Sequence, residues 1–230
     1  RITIAMPTSP QGIIAFYAAN KLGAVCSMIH PLSPAKEIAF YLETSKSTFA
    51  LTLDAFYPEF RKAMEEVELE VLILAKIQDF FPLPLKVGFM LTKGRKIKPV
   101  PPDSRVVWWR DLMKRRQFSD MIPPKVDTND LAVIMYSGGT TGKPKGIMLS
   151  NANFIAEGTA AAAWGQMDDT DSMLAILPIF HGFGLGVCVN AVFMGGGAAI
   201  LVPTFTPEDV AKLIVKKRPT FVVGVPTLYE

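Results

Sequence analysis

Residues 136–146 read YSGGTTGKPKG, preceded by the apolar run Leu131-Ala132-Val133-Ile134-Met135 and followed by Ile147-Met148-Leu149. The leading run has the length and composition of a buried strand. From Ser137 to Gly146 there are four glycines, three hydroxyl residues and two lysines in ten positions. Glycine lets a backbone turn tightly and come close to a ligand. Backbone N–H groups, hydroxyls and ammonium groups set this near one another form a socket for a polyphosphate, because each donates to an anionic oxygen or offsets its charge. Pro144 stiffens the exit and has no N–H to donate. The segment reads as a nucleotide loop; a glycine-rich hairpin without a ligand is the plainer alternative.

Upstream of the loop, strand and helix signals alternate. Strands are expected at Ile2–Ala5, Ala24–Ile29, Thr48–Leu53 and Glu70–Leu74. Between them, Ser9-Pro10 and Ser33-Pro34 have the form of helix starts, serine as N-cap and proline at the first position. Ile13, Ile14, Phe16, Tyr17 and Leu22 give the first helix a broad apolar face that predicts deep burial. Asp54 opens a helix carrying Phe56, Phe60, Met64 and Val67. This rhythm predicts an α/β fold, doubly wound, with mostly parallel sheets and helices on both faces. Ile77–Pro102 interrupts it with five prolines and a basic run, Lys93, Arg95, Lys96 and Lys98. A solvated loop is the plain reading there. Phe80, Phe81 and Phe89 beside the lysines also suit a membrane-surface or acyl-carrier contact.

A strand at Arg105–Trp109 and a short basic helix at Arg110–Arg116 follow. Pro123-Pro124 then suggests a division into a first α/β subdomain, 1–124, and a second, 125–230, that carries the loop. In the second, Ser150 or Asn151 caps a helix through Ala160–Ala163, and strands are expected at Ser172–Leu177, Ala198–Val202 and Thr220–Val225. Thr206-Pro207-Glu208-Asp209 has capping-box form. From Ser172 to Pro207 there is no Lys, Arg, Asp or Glu, and Leu185–Val202 has about the minimum length of a membrane span. Asn190 and Gly195-Gly196-Gly197 interrupt it, so a buried helix, a turn and a strand explain the same residues better.

Half the residues are hydrophobic and a fifth charged, ordinary for a globular chain, and a net charge of +3 gives no case for a nucleic-acid partner. Cys26 and Cys188 match no metal spacing and no disulfide framework, which points to a reducing, cytoplasmic setting. The chain opens directly into a strand at Arg1 and ends at Tyr229-Glu230 where another element begins, so both ends are expected to be cuts through a longer protein.

The loop is not a Walker loop, since Gly142-Lys143 is followed by Pro144 and Ser137 stands at the first glycine position; nor is it G-x-G-x-x-G. It closely resembles the phosphate loop of the adenylate-forming superfamily: acyl-CoA synthetases, aryl-CoA ligases, luciferase and the adenylation domains of peptide synthetases. Gly138 stands where many members carry serine. Pro178–Gly184, PIFHGFG, is similar to the family's aromatic-histidine-glycine turn. The opening residues and the stretches GAAILVPTFTPEDV and PTFVVGVPTLYE also look familial. A Y-G-x-T-E motif, a ribose-binding aspartate and a small C-terminal domain with its lysine would then lie beyond Glu230.

The resemblance implies that a carboxylic acid, a fatty acid ahead of an aryl acid, is joined to ATP and then passed to CoA or another thiol, with Mg2+ accompanying the nucleotide. It implies nucleotide contacts from Ser137, Gly138, Gly139, Thr140, Thr141, Gly142, Lys143 and Lys145. Thr140 is also the candidate hydroxyl ligand for the metal. Thr140, Lys145 and His181 are the candidate catalytic residues. His181, Phe180 and Phe183 are candidates for the acid site, although both phenylalanines could equally be core. The other histidine, His30, is read as structural. Three alternatives stay open: a non-catalytic nucleotide- or acyl-binding homologue, an aryl-CoA ligase, and a peptide-synthetase adenylation domain. Residues 1–230 alone are expected to be inactive, because much of the site would lie elsewhere in the polypeptide.

Overall fold

Residues 1–114, 122–138 and 144–228 are described by a computed structural model. In chain order the elements are β1 (Ile2–Ala5), α1 (Pro10–Lys21), β2 (Cys26–Met28), α2 (Ala35–Ser45), β3 (Phe49–Leu53), α3 (Tyr57–Glu66), β4 (Val71–Ala75), α4 (Leu83–Leu91), β5 (Val106–Trp108) and α5 (Trp109–Lys114). Then come β6 (Leu131–Ser137), β7 (Lys145–Ser150), α6 (Asn151–Gly165), β8 (Ser172–Ala175), a π-helical segment Phe183–Ala191 running into α7 (Val192–Met194), β9 (Ala198–Leu201), α8 (Pro207–Lys217) and β10 (Phe221–Val222).

Seven strands form one sheet in the order β5-β4-β3-β1-β2-β6-β7. All its pairings are parallel except β6 with β7, a hairpin joined by the glycine-rich loop. A second, wholly parallel sheet has the order β10-β8-β9. Strands on both sides of Pro123-Pro124 share the larger sheet, so the expected subdomain division falls within a sheet rather than between sheets.

The period-2 alternation of strand side chains sorts the core into layers. Ile4, Leu51, Val133 and Met135 point to one face of the large sheet, where α1, the π-helical segment and Phe154 of α6 meet Met173 and Ala175 of the small sheet. Ala5, Ala50, Leu72 and Leu74 point the other way, onto α2 and α3. Leu174, Ile176 and Val202 pack beneath Val210 of α8 on the outer side of the small sheet. Helices therefore cover both faces of each sheet, as the alternation predicts.

Several expectations need correcting. Ser9 is the N-cap residue of α1 and Pro10 its first residue, as expected, but the Ser9 side chain makes no capping bond. The cap residue of α2 is Pro34, not Ser33, and the Ala35 N–H is satisfied from another helix, donating to Glu59 Oε2 at 3.1 Å. Ile14 and Leu22 remain exposed while Ile13, Phe16 and Ala19 fill the core. Residues 77–102 are not a plain loop: α4 and two 3-10 turns, Ile77–Phe80 and Lys93–Lys96, occupy much of it. Pro82 and Pro84 sit at the start of α4, where a missing N–H costs nothing. Leu185–Val202 is divided among the π-helical segment, α7, a turn and β9. Among the described residues, no helix is long and apolar enough to cross a membrane.

Candidate active site

The β6–β7 hairpin leaves the large sheet at the C-terminal end of β6, with Tyr136 opposite Gly146 and Ser137 opposite Lys145. In open α/β sheets the ligand crevice lies outside the carboxyl ends of the strands. Tyr136 fixes the stem of the loop: its ring lies 4.4 Å from that of Tyr41, and its hydroxyl is 3.1 Å from Ser27 Oγ. Gly146 makes room for it, since a Cβ there would stand 3.1 Å from Ile134 Cγ2 and 3.4 Å from Tyr136 Cε1. Burial pushes the Tyr136 phenol above its ordinary value, so it stays a neutral anchor.

The second motif follows β8 in the small sheet. The His181 N–H donates to Pro178 O at 3.1 Å, and the His181 carbonyl accepts the Leu185 N–H at 3.0 Å, so the residue sits in a tight turn that leads into the π-helical segment. Gly184 allows the turn to close: a Cβ there would lie 2.1 Å from Pro178 O. Gly182 brings the turn against β6, where its Cβ would touch Met135 Sδ at 3.7 Å.

The two motifs meet across a pocket of about 190 Å³ bordered by Ser137, Gly138, Pro144, Tyr136, His181 and His30. Phe180, itself buried, packs its ring 4.7 Å from His181 and 4.6 Å from His30. Burial, and then the neighbouring His30, hold the His181 imidazole below its ordinary value and favour the neutral ring. His30 and Phe180 also border a larger cavity of about 1020 Å³. Its walls are mostly apolar, with Pro7, Leu53, Phe56, Phe89, Ile176 and Val202 among them.

Of the expected site residues, Ser137, Gly138, Phe180 and His181 converge on the small pocket. Lys145 is exposed at the start of β7, in register with Ser137. Phe183 is 42% exposed and borders neither space. Gly139, Thr140, Thr141, Gly142 and Lys143 lie outside the described residues. Among the described residues no three His, Cys, Asp or Glu side chains gather as metal ligands would. His30, read from sequence as structural, is exposed and shares the pocket with His181. A signal for it was present, because it comes two residues after β2, at the carboxyl end of a parallel strand.

The sequence profile of the AMP-binding enzymes matches residues 1–230. The chain belongs to that family. It is 30% identical to a long-chain-fatty-acid–CoA ligase of Bacillus subtilis over all of its length and 42% of that protein. It is 26% identical to a ligase of the same description from Haemophilus influenzae, again over all of the chain and 42% of the relative. The fold matches a long-chain-fatty-acid-CoA ligase (FadD1) from Archaeoglobus fulgidus with a TM-score of 0.79, at 24% identity, over 98% of this chain and 40% of that one. It also matches an anthranilate CoA ligase, AuaEII, in complex with anthranoyl-AMP, with a TM-score of 0.80 at 20% identity, over 98% of this chain and 40% of that one. This AMP-binding family member thus spans about 40% of the length of the relatives it matches, and its large sheet and loop hairpin lie within the shared part.

Proposed function

We propose that this chain forms the phosphate-loop part of an AMP-forming acid–CoA ligase whose acid carries an apolar body, a fatty acid before an aryl acid. In the first step a carboxylate oxygen attacks the α-phosphorus of ATP, a new O–P bond forms, and the bond to the bridging oxygen of pyrophosphate breaks. In the second step the thiol of CoA attacks the acyl carbon and AMP leaves. The observation that carries this reading is the meeting of Ser137 and Gly138 with His181 across a small pocket that shares Phe180 with a large apolar cavity.

A carboxylate is a weak nucleophile and the phosphorus is shielded by anionic oxygens, so the protein's part is to align the reactants and offset charge. Ser137 Oγ and the Gly138 N–H are donors for phosphate at the root of the loop; Gly139, Thr140, Thr141, Gly142 and Lys143 are assigned the same task. Lys145, opposite Ser137, supplies positive charge at the rim. His181, held neutral, can hydrogen-bond at the junction of carboxylate and α-phosphate without repelling Lys145. Magnesium brought in on the triphosphate would lower its charge. Phosphate oxygens and water would supply most of its ligands and Thr140 one hydroxyl, which suits a cation seldom held by an all-protein cage.

Carboxylate-dependent exchange of pyrophosphate into ATP by the complete enzyme, across a panel of acids, tests the reading and separates a ligase from a non-catalytic binder. Lys145→Ala removes one charge-assisted contact worth about 1.5–3 kcal/mol, so exchange should fall roughly ten- to a hundred-fold whatever the acid. Unaltered ATP use by Lys145→Ala would sink the phosphate-loop assignment.

Residues 80–98 favour an added contact with a membrane surface. Leu83, Met90 and Leu91 are all more than half exposed, near Lys86, Lys93, Arg95 and Lys96 in the chain. An apolar face with a basic border suits an anionic lipid surface. Co-sedimentation with anionic vesicles but not with neutral ones is the expected result, and equal recovery with both would remove this contact.

A further inference from the structure

His30 stands just beyond β2, exposed, and borders both the apolar cavity and the pocket at the root of the phosphate loop. Its Nδ1 accepts the Leu32 N–H at 3.0 Å. A neutral imidazole has one donor and one acceptor nitrogen, so this bond places the proton on Nε2 and leaves that nitrogen as the free donor. The ring is set edge-on to Phe180 at 4.6 Å, and Phe180 lies against His181 at 4.7 Å, so one buried aromatic ring spaces two imidazoles at the boundary of both spaces.

A purely structural role would use only Nδ1, which closes the short turn to Leu32. It would not call for an exposed ring that borders both the cavity and the pocket. A carboxylate that reaches the loop with its apolar body still in the cavity must cross this boundary. There it is an anion leaving apolar walls, and a fixed N–H donor is what such a group lacks.

We propose that His30 is a substrate-contact residue whose Nε2–H holds the carboxylate of the incoming acid at the mouth of the cavity, facing the loop. This deepens the acid-activation reading and rests on it. His30 sets the position of the carboxylate and therefore the affinity for the acid. It takes no part in holding ATP.

Two substitutions separate the nitrogens. His30→Asn keeps an acceptor near the place of Nδ1 and has no atom at Nε2; His30→Gln carries an amide N–H out to the region of Nε2. In the complete enzyme, pyrophosphate exchange is measured with acid and ATP varied in turn, together with the melting temperature. Loss of one hydrogen bond to a charged group predicts that His30→Asn raises the KM for the acid about tenfold while the KM for ATP changes less than about twofold. Its melting temperature should match the wild type, and His30→Gln should recover most of the affinity for the acid. A wild-type KM for the acid in His30→Asn overturns the inference. So does a parallel rise of both KM values, or recovery by Asn where Gln fails, which would make the turn to Leu32 the whole role of the residue. Exchange by the wild type that ignores the acid would instead defeat the underlying reading and take the inference with it.

Discussion

Gly184→Ala is the most direct perturbation of the His181 turn. The added methyl would lie 2.1 Å from Pro178 O, 2.5 Å from Pro178 C and 2.7 Å from Leu177 O. These are backbone atoms, so no side chain can rotate away, and the closest contact is more than about 1 Å short of van der Waals separation. The backbone must move, and Pro178 O already accepts the His181 N–H. Overpacking of this kind costs about 1–3 kcal/mol, and a weakened hydrogen bond adds about 1 kcal/mol. A loss of roughly 2–4 kcal/mol is expected. Urea denaturation of the complete enzyme measures this loss, and pyrophosphate exchange well below the transition shows whether His181 has been displaced. Exchange should fall in the folded variant as well. A change in stability under about 0.5 kcal/mol, ordinary for a surface substitution, would refute the argument that Gly184 is held by lack of space.

Gly88 is the opposite case: it lies within α4, and a Cβ added there would meet nothing within 4 Å, so Gly88→Ala should be neutral or should stabilise by up to about 1 kcal/mol in the same titration. Burial pushes the Cys26 thiol up to about 12 and the Cys188 thiol up to about 11; neither should react with a thiol reagent near pH 8 until denaturant is added, and rapid labelling of the native protein would contradict their placement. Because the folded state holds His181 below its ordinary value of 6.5, the unfolded chain takes up that proton first on acidification. Stability is therefore lost as pH falls through the histidine range, and His181→Gln should lose less than wild type between about pH 7.5 and 5.5. Equal losses would remove His181 as a cause.

Much of the fold is legible because its signals are local. The expected strands at 2–5, 48–53 and 70–74 match β1, β3 and β4 to within about one residue, inside the usual uncertainty of element ends. Ser150, one of the two residues expected to cap α6, is its cap, and Thr206 caps α8, each side chain accepting the N–H three residues on, although of the two only Ser150 closes a full capping box. Where the reading fails, a distant group has replaced a local one. Glu59 supplies the acceptor at α2 that Ser33 was expected to provide. The C-caps of α2, α6 and α8 are Lys46, Gln166 and Arg218, all at positive φ, so the glycine that usually marks such an end is absent. The run after His181 was legible as a buried helix, but an apolar composition carries no mark that separates a π ladder from an α ladder.

The site was half legible for the same reason. Ser137, Gly138, Phe180 and His181 belong to contiguous motifs, whereas His30 carries only the local mark of following a parallel strand, and Phe180, against which it packs, is 150 positions away. What brings such distant residues together is the packing between the two sheets, and one polar side chain helps to fix it. Asn190 interrupts the apolar run in sequence, and in the fold it is 1% exposed. Its Nδ2 donates to Phe154 O of α6 at 2.8 Å, and its Oδ1 accepts the Tyr17 hydroxyl of α1 at 3.0 Å. Gly158 admits it, since a Cβ there would stand 2.3 Å from Asn190 Nδ2. A buried amide with both ends satisfied tolerates little sliding, because any shift leaves a donor or acceptor unpaired at about 1–3 kcal/mol. The π-helical segment is thereby held against α1 and α6, and α1 follows directly from β1 of the large sheet. The turn at its start, with His181, is held opposite Ser137 and Gly138 by contacts some distance from the pocket itself.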